Sequence, residues 1–252
     1  MKKEGLFSRN TKGASVLTTD KGYRLAIPAS IAGIKSQYQS YRLAQLDDYT
    51  GLTRRKFPHH SLTLSLRARA SSDSITGTWG FGLWNDPFGF SPGFGGNPFR
   101  LPALPNAAWF FYASPESHLS FHHDKPAQGF LAQVFRSTSY HPMLLPAGLT
   151  FPFSRKTARR LLGRVIEEDG IRLDVDVTQW HGYRLEWSPT RVLFEVDNVK
   201  VLGTIVSPRG PLGLVIWIDN QYAAFTPEGK ITFGVLEGKE ERIEIEEINI
   251  SS

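Results

Sequence analysis

The feature that most constrains this chain is strict two-residue alternation. Between Ser61 and Ala70, Leu62, Leu64, Leu66, Ala68 and Ala70 share one parity, while Ser61, Thr63, Ser65, Arg67 and Arg69 share the other. Successive side chains of an extended strand point to opposite faces, so this pattern predicts a strand with one face buried and one in water. The pattern recurs at Ile171, Leu173, Val175 and Val177, then at Tyr183, Leu185 and Trp187, and again at Val192, Phe194 and Val196. Ser188-Pro189-Thr190 and Asp197-Asn198 supply the turns of a meander. Further strands are expected at 213–219, 231–236 and 242–250. In the last of these Ile243 and Ile245 change parity to Ile248 and Ile250 across Glu246-Glu247, which predicts a β-bulge.

One stretch has helical spacing. Ala158, Leu161, Leu162, Val165 and Ile166 follow i, i+3, i+4, i+7, i+8, with Ser154 as N-cap and Gly170 beyond the end, so a helix is expected near 154–167. Arg155, Lys156, Arg159, Arg160 and Arg164 occupy its other side. They read as a solvated face, against the alternative of a contact with an anionic polymer or membrane surface.

Composition sets outer limits. With 252 residues the chain can bury a core without disulfides or a structural metal. Having no cysteine, it has no disulfide framework, thiolate zinc site or cysteine nucleophile. A net charge of +5 is too diffuse for a nucleic-acid stripe, and no window approaches the apolar length of a membrane span. The basic start, MKKEGLFSRNTKGAS, leads into no apolar signal region, so the chain is expected to be soluble and leaderless, with a cytoplasmic or undetermined location. Many strands, one helix and abundant Gly and Pro predict a single all-β domain over 1–252, a two-sheet antiparallel jelly-roll sandwich, with 1–39 holding an N-terminal segment and first strands. Residues 86–106, DPFGFSPGFGGNPFRLPALPN, are too rich in Pro and Gly for regular structure. Their rings, Phe88, Phe90, Phe94 and Phe99, need a surface to pack on, so an ordered loop or lid closing one end of a groove is expected.

Residues 180–198, WHGYRLEWSPTRVLFEVDN, resemble the late strands of family 16 glycoside hydrolases, in the concanavalin A-like lectin and glucanase superfamily. Trp180, His181, Tyr183, Trp187, Pro189, Phe194, Val196 and Asp197 match the family pattern, and Asn198 stands where the family has glycine. The resemblance implies a curved jelly roll with a glycan-sized groove on its concave sheet. It also implies catalytic acids in an E-x-D-x-E motif after a tryptophan. Setting Trp109 on that tryptophan places Phe111, Ala113 and Pro115 where the acids belong, and none of these ionises. A degenerate active site is therefore expected. The Glu244-Ile245-Glu246 triplet reads as a solvated strand face.

Two constellations remain. Glu116, His118, Ser120, His122 and Asp124 share parity, and a strand there would line up ionisable groups. Glu116, His118 and Asp124 are the catalytic candidates if the protein is an enzyme, although strand spacing keeps His118 and His122 about 13 Å apart, so no metal site is expected. The alternative is a solvent-facing polar edge. Trp79, Trp84, Trp109, Phe111, His122, Trp217, Asp219 and Asn220 are the candidate ligand-binding residues, because indole faces stack on sugar rings and the polar groups can bond hydroxyls. Trp79 and Trp84 have opposite parity, so at most one faces the groove, and at least half of the tryptophans are expected in the core. The His59-His60 pair reads as loop.

Three readings compete: a glycan-binding sandwich without standard hydrolase chemistry, an active glycosidase or lyase with relocated groups, and an apolar small-molecule binder or enzyme using the same groove. None calls for a cofactor, a nucleic-acid partner or a transmembrane segment.

Overall fold

The computed structural model describes residues 5–11, 13–30, 41–87, 103–138 and 154–251. Two seven-stranded antiparallel sheets pack face to face, as the alternation requires. In the first, the order is β1 (Phe7–Asn10), β4 (Leu43–Asp47), β13 (Gly213–Asp219), β6 (Thr78–Trp84), β7 (Ala107–Ala113), β8 (Gly129–Ser137) and β9 (Ile166–Arg172). In the second it is β12 (Val199–Thr204), β11 (Arg191–Val196), β10 (His181–Ser188), β5 (Leu62–Ala70), β16 (Glu241–Ser251), β3 (Gly22–Ile27) and β2 (Ser15–Thr18). A separate hairpin joins β14 (Gln221–Phe225) to β15 (Ile231–Val235). The one described α-helix, α1, spans Arg155–Leu162.

The core between the sheets follows the parities read from sequence. Leu62, Leu64, Leu66, Ala68 and Ala70 are all buried. Phe110 sits at its centre, its ring 5.1 Å from Phe194 and 5.0 Å from Tyr183, both edge-on. Such edge-to-face pairs add to the area each ring removes from water.

The family-like segment is a structural lock. β10 and β11 pair from Tyr183↔Val196 to Ser188↔Arg191. The β11–β12 connection places Asp197 at φ 50° and Asn198 at φ 64°, the left-handed pair of a type I′ hairpin turn. The Asp197 carboxylate accepts the Gly182 N–H at 2.8 Å and lies 2.6 Å from His181 Nδ1. That imidazole holds the carboxyl below its ordinary range. Trp180 lies under the Arg67 and Arg69 guanidinium groups at 5.5 and 4.8 Å. Because Asn tolerates the left-handed region and a β-branched residue does not, Asn198→Gly is expected to leave stability within about 0.5 kcal/mol, whereas Asn198→Val should cost about 1–2 kcal/mol in urea unfolding.

Three expectations are corrected in detail. The helix stops at Leu162, and Ile166 is the first residue of β9. Ser154 does cap it, accepting the Thr157 N–H at 3.3 Å. The strand placed at 171–177 lies at Ile166–Arg172 instead. Leu173 and Val177 are buried as the alternation required, but Ile171 is exposed because β9 is an edge strand. Residues 116–124 form no strand. Glu116 is exposed on a turn, Ser117 and Ser120 are buried, and only His118 makes an isolated bridge, to Ala224. Pro115 before this segment and Pro126 after it lack ladder donors. The bulge is present: the β16–β5 register shifts between Glu246 and Asn249, with Glu247 at φ 54°. Most of the 86–106 loop, including its four phenylalanines, lies outside the described residues. No described helix is long and apolar enough to cross a membrane.

Candidate functional site

The first sheet turns one face to the core and the other outward, and the outward face carries a second apolar cluster. Trp109 and Phe111 of β7, Trp217 of β13 and Leu131 of β8 belong to it, with Trp84 of β6 packed against it. The parity argument therefore separates Trp79 from Trp84 correctly: Trp79 is fully buried between the sheets, and Trp84 joins the outer cluster. Trp84 and Trp217 are parallel within 5° at 6.1 Å, while Trp109 lies 5.9 and 5.7 Å from them. Glycines make room for this layer. A Cβ on Gly80 would lie 2.9 Å from the Trp217 ring and 2.4 Å from the Phe110 carbonyl oxygen.

These indoles are not an open platform. Trp109 is 5% exposed, Trp217 7% and Phe111 2%. Leu119, Phe121, Leu162 and Val235 pack against the same cluster, so the 114–128 loop, α1 and the β14–β15 hairpin all approach it. Each indole N–H is engaged within the protein: Trp84 donates to Tyr49 Oη at 2.7 Å, Trp217 to Thr78 Oγ1 at 3.0 Å and Trp109 to Gln133 Oε1 at 3.5 Å.

Three carboxylates share the outer face, each with internal partners. Asp219 accepts Thr78 Oγ1–H at 2.7 Å and the Gln221 N–H at 3.2 Å, and burial pushes its carboxyl up to about 7. Asp47 accepts the Tyr49 and Thr50 N–H groups, the Thr50 hydroxyl and Gln45 Nε2. Glu168 of β9 accepts Gln133 Nε2 at 3.0 Å and the Phe121 N–H at 2.8 Å, and burial raises its carboxyl. Neither Asp47 nor Glu168 stood out in the sequence, because an acid within an alternating strand resembles any solvent-facing residue. Asn220 is likewise committed, accepting the Arg42 N–H at 2.8 Å and donating to the Leu236 carbonyl at 3.0 Å. His59, read as loop, stands 2.6 Å from Asp48 Oδ2 and bridges to Leu212. Glu244 faces out from β16 and pairs with Arg24 and Arg69.

The catalytic candidates are not brought together as one line. Glu116 and Asp124 are exposed. His118 is half-buried, and burial together with nearby Arg159 holds its imidazole below the ordinary range. His122 Nε2 lies 3.1 Å from the Ile166 carbonyl, so that nitrogen carries a proton. Among the described residues no three His, Cys, Asp or Glu side chains are grouped to hold a metal.

An open cavity of about 400 Å³ lies where the 120–124 loop meets α1. His122, His123 and Asp124 form one side, and Lys156, Arg159, Arg160 and Arg164 form the other. Phe121, Gly163 and Pro227 complete it. Phe121 links the cavity to the outer face, since its ring lies 6.2 Å from Phe135 and its N–H bonds Glu168.

No family model and no curated protein sequence matches the chain. Solved structures do match the fold. An endo-β-1,4-glucuronan lyase from the fungus Trichoderma reesei superposes with a TM-score of 0.53 at 9% identity, covering 98% of this chain and 90% of that one. A glycoside hydrolase family 16 endo-glucanase from Bacteroides ovatus gives 0.51 at 12% identity, covering 100% and 96%. LamAcat from Zobellia galactanivorans gives 0.50 at 14% identity, covering 94% and 80%. The chain thus has the fold of family 16 hydrolases and related carbohydrate-active jelly rolls.

Proposed function

We propose that the protein binds a glycan, or another ligand of that size, without standard hydrolase chemistry. The observation that carries this reading is the composition of the outer face. Positions 109, 111 and 113 of β7 present Trp, Phe and Ala there, and Pro115 follows in a turn. Retaining hydrolysis needs two carboxyl groups roughly 5 Å apart and inverting hydrolysis roughly 6.5–9.5 Å. Asp47 lies opposite Val215, four residues along β13 from Asp219, so their backbones are about 13 Å apart. Glu168 is four strands from β13, about 19 Å across the sheet. The fold similarity supports a carbohydrate as the ligand class, and the makeup of the outer face supports a site without the usual chemistry.

Incubation with laminarin and lichenan is expected to release no reducing ends above a buffer control, while calorimetry against an oligosaccharide panel detects binding. Turnover abolished by Glu168→Gln or Glu116→Gln would replace this reading with that of a hydrolase using relocated acids. A second reading, an apolar small molecule held against the outer cluster, is favoured by the packing of Leu119 and Leu162 beside Trp109 and Phe111. Saturable quenching of tryptophan fluorescence by apolar compounds, with no response to any sugar, would select it.

A further inference from the structure

The cavity between the 120–124 loop and α1 is lined by more cations than carboxylates. Lys156, Arg159, Arg160 and Arg164 face it against the single carboxylate of Asp124, which itself lies 3.9 Å from Lys125 Nζ. None of the four cations makes an ion pair within the described residues. Lys156 and Arg160 stand four residues apart on α1, a like-charge pair that disfavours the helix, and Arg164 continues the line in the turn after it.

Arg159 is the fixed member. It is 3% exposed, its Nε donates to the Phe225 carbonyl at 2.8 Å and its Nη2 to the Ser120 carbonyl at 2.6 Å, and its guanidinium lies 5.7 Å from the Phe225 ring centre. Those bonds fix the plane of the fork, and the carboxylates of Glu168 and Glu228 act on its charge from beyond ion-pair distance. A buried cation with no carboxylate in direct contact is costly, and its cost falls when an anion arrives with the ligand. The remaining walls are uncharged: Phe121, Gly163 and Pro227 offer flat apolar surface of the kind that packs on the C–H face of a sugar ring.

We infer that this cavity recognises an anionic sugar, a glycan unit bearing a carboxylate or a sulfate. The inference rests on the glycan-binding reading above and adds the ligand's charge and its location. Guanidinium forks pair bidentately with carboxylate and sulfate alike, so the two sources share one chemistry. A single concave pocket of about 400 Å³ is of ligand size, whereas a nucleic-acid backbone needs a long basic stripe. The cations on α1, which the sequence alone presents as a solvated face, are thus gathered around a concavity.

The test is calorimetric titration of the full chain with a glucuronic-acid tetrasaccharide, a sulfated tetrasaccharide, the neutral laminari-tetraose, inorganic sulfate and a single-stranded oligonucleotide. One or both acidic sugars are expected to bind at least about tenfold more tightly than the neutral one, with affinity falling as salt rises. Whether the carboxylated or the sulfated arm is tighter identifies the source. The exposed pair Arg160→Gln/Arg164→Gln should lose about tenfold toward the acidic sugar while the melting temperature stays unchanged. Arg159→Lys, which keeps the charge and loses the fork, should lose affinity as well. Equal binding of neutral and acidic sugars, insensitive to the double variant, would overturn the inference and leave the glycan reading standing. Binding of sulfate or the oligonucleotide without any sugar would overturn both. Cleavage of an acidic sugar that survives Arg160→Gln/Arg164→Gln would overturn the non-hydrolytic reading and place the sugar elsewhere.

Discussion

Asp219→Asn is expected to shift the balance of stability between variant and wild type by about 4 kcal/mol in the variant's favour between about pH 4 and pH 8. The carboxyl has an ordinary value of 3.8 and is pushed up to about 7 by burial. A raised carboxyl means that the folded state holds its proton more tightly than the unfolded chain does. Stability from this group is therefore fully present below about 3.8, is lost as pH rises through about 7 and changes no further above it. An asparagine keeps an oxygen for the Thr78 hydroxyl and the Gln221 N–H and has no proton to lose, so this slope disappears. Glu168 and Glu241 are also raised by burial and act in the same direction, and taking the difference between variant and wild type at each pH removes their contribution. Urea unfolding at several pH values checks it. A difference that stays constant with pH would show that Asp219 ionises normally in the folded protein.

The same carboxylate shows what the sequence could and could not reveal. Parity placed Asp219 on Trp217's face, and the structure agrees. Its partner, Thr78, is 141 residues away, and no local pattern announces a pairing that is made by strand order. Strand existence was legible because alternation is local, as were the Asp197-Asn198 turn and the bulge near Glu247. The 116–124 segment misled because five polar residues at even spacing imitate a strand face, while Pro115 and Pro126 deny that segment a ladder. Ile166 misled in the opposite way, satisfying helical spacing from Ala158 although it begins an edge strand of the first sheet.

The cavity was the least legible feature. Arg159, Arg160 and Arg164 were visible as cations on one side of a helix, a pattern that solvated helices share. Their meaning depends on His122 and Asp124 lying opposite, and that depends on Phe121 being tied to β9 through Glu168. Such a site is built by long-range packing. The aromatic face shows the same limit: the family resemblance places Trp109 and Trp217 on strands of one concave sheet, but how deeply they are buried depends on remote segments.

Phe110→Ala and Phe111→Ala should therefore destabilise the protein to a similar degree, each by about 3–5 kcal/mol. The two residues are neighbours on β7 and point to opposite faces. Phe110 is fully buried between the sheets, and its truncation leaves a cavity bounded by Phe81, Tyr183 and Phe194. Phe111 is 2% exposed in the outer cluster, 5.4 Å from Trp109 and 5.7 Å from Trp217. Were the outer face an open sugar platform, Phe111→Ala would cost little, because a solvated ring loses little on truncation, and Phe110→Ala alone would be severe. Two large and comparable losses in denaturant unfolding indicate that the first sheet carries a core on both faces. In that event a ligand must be met at the margin of the aromatic layer, where Phe121 joins the outer cluster to the cationic cavity, and not on the stacked indoles themselves.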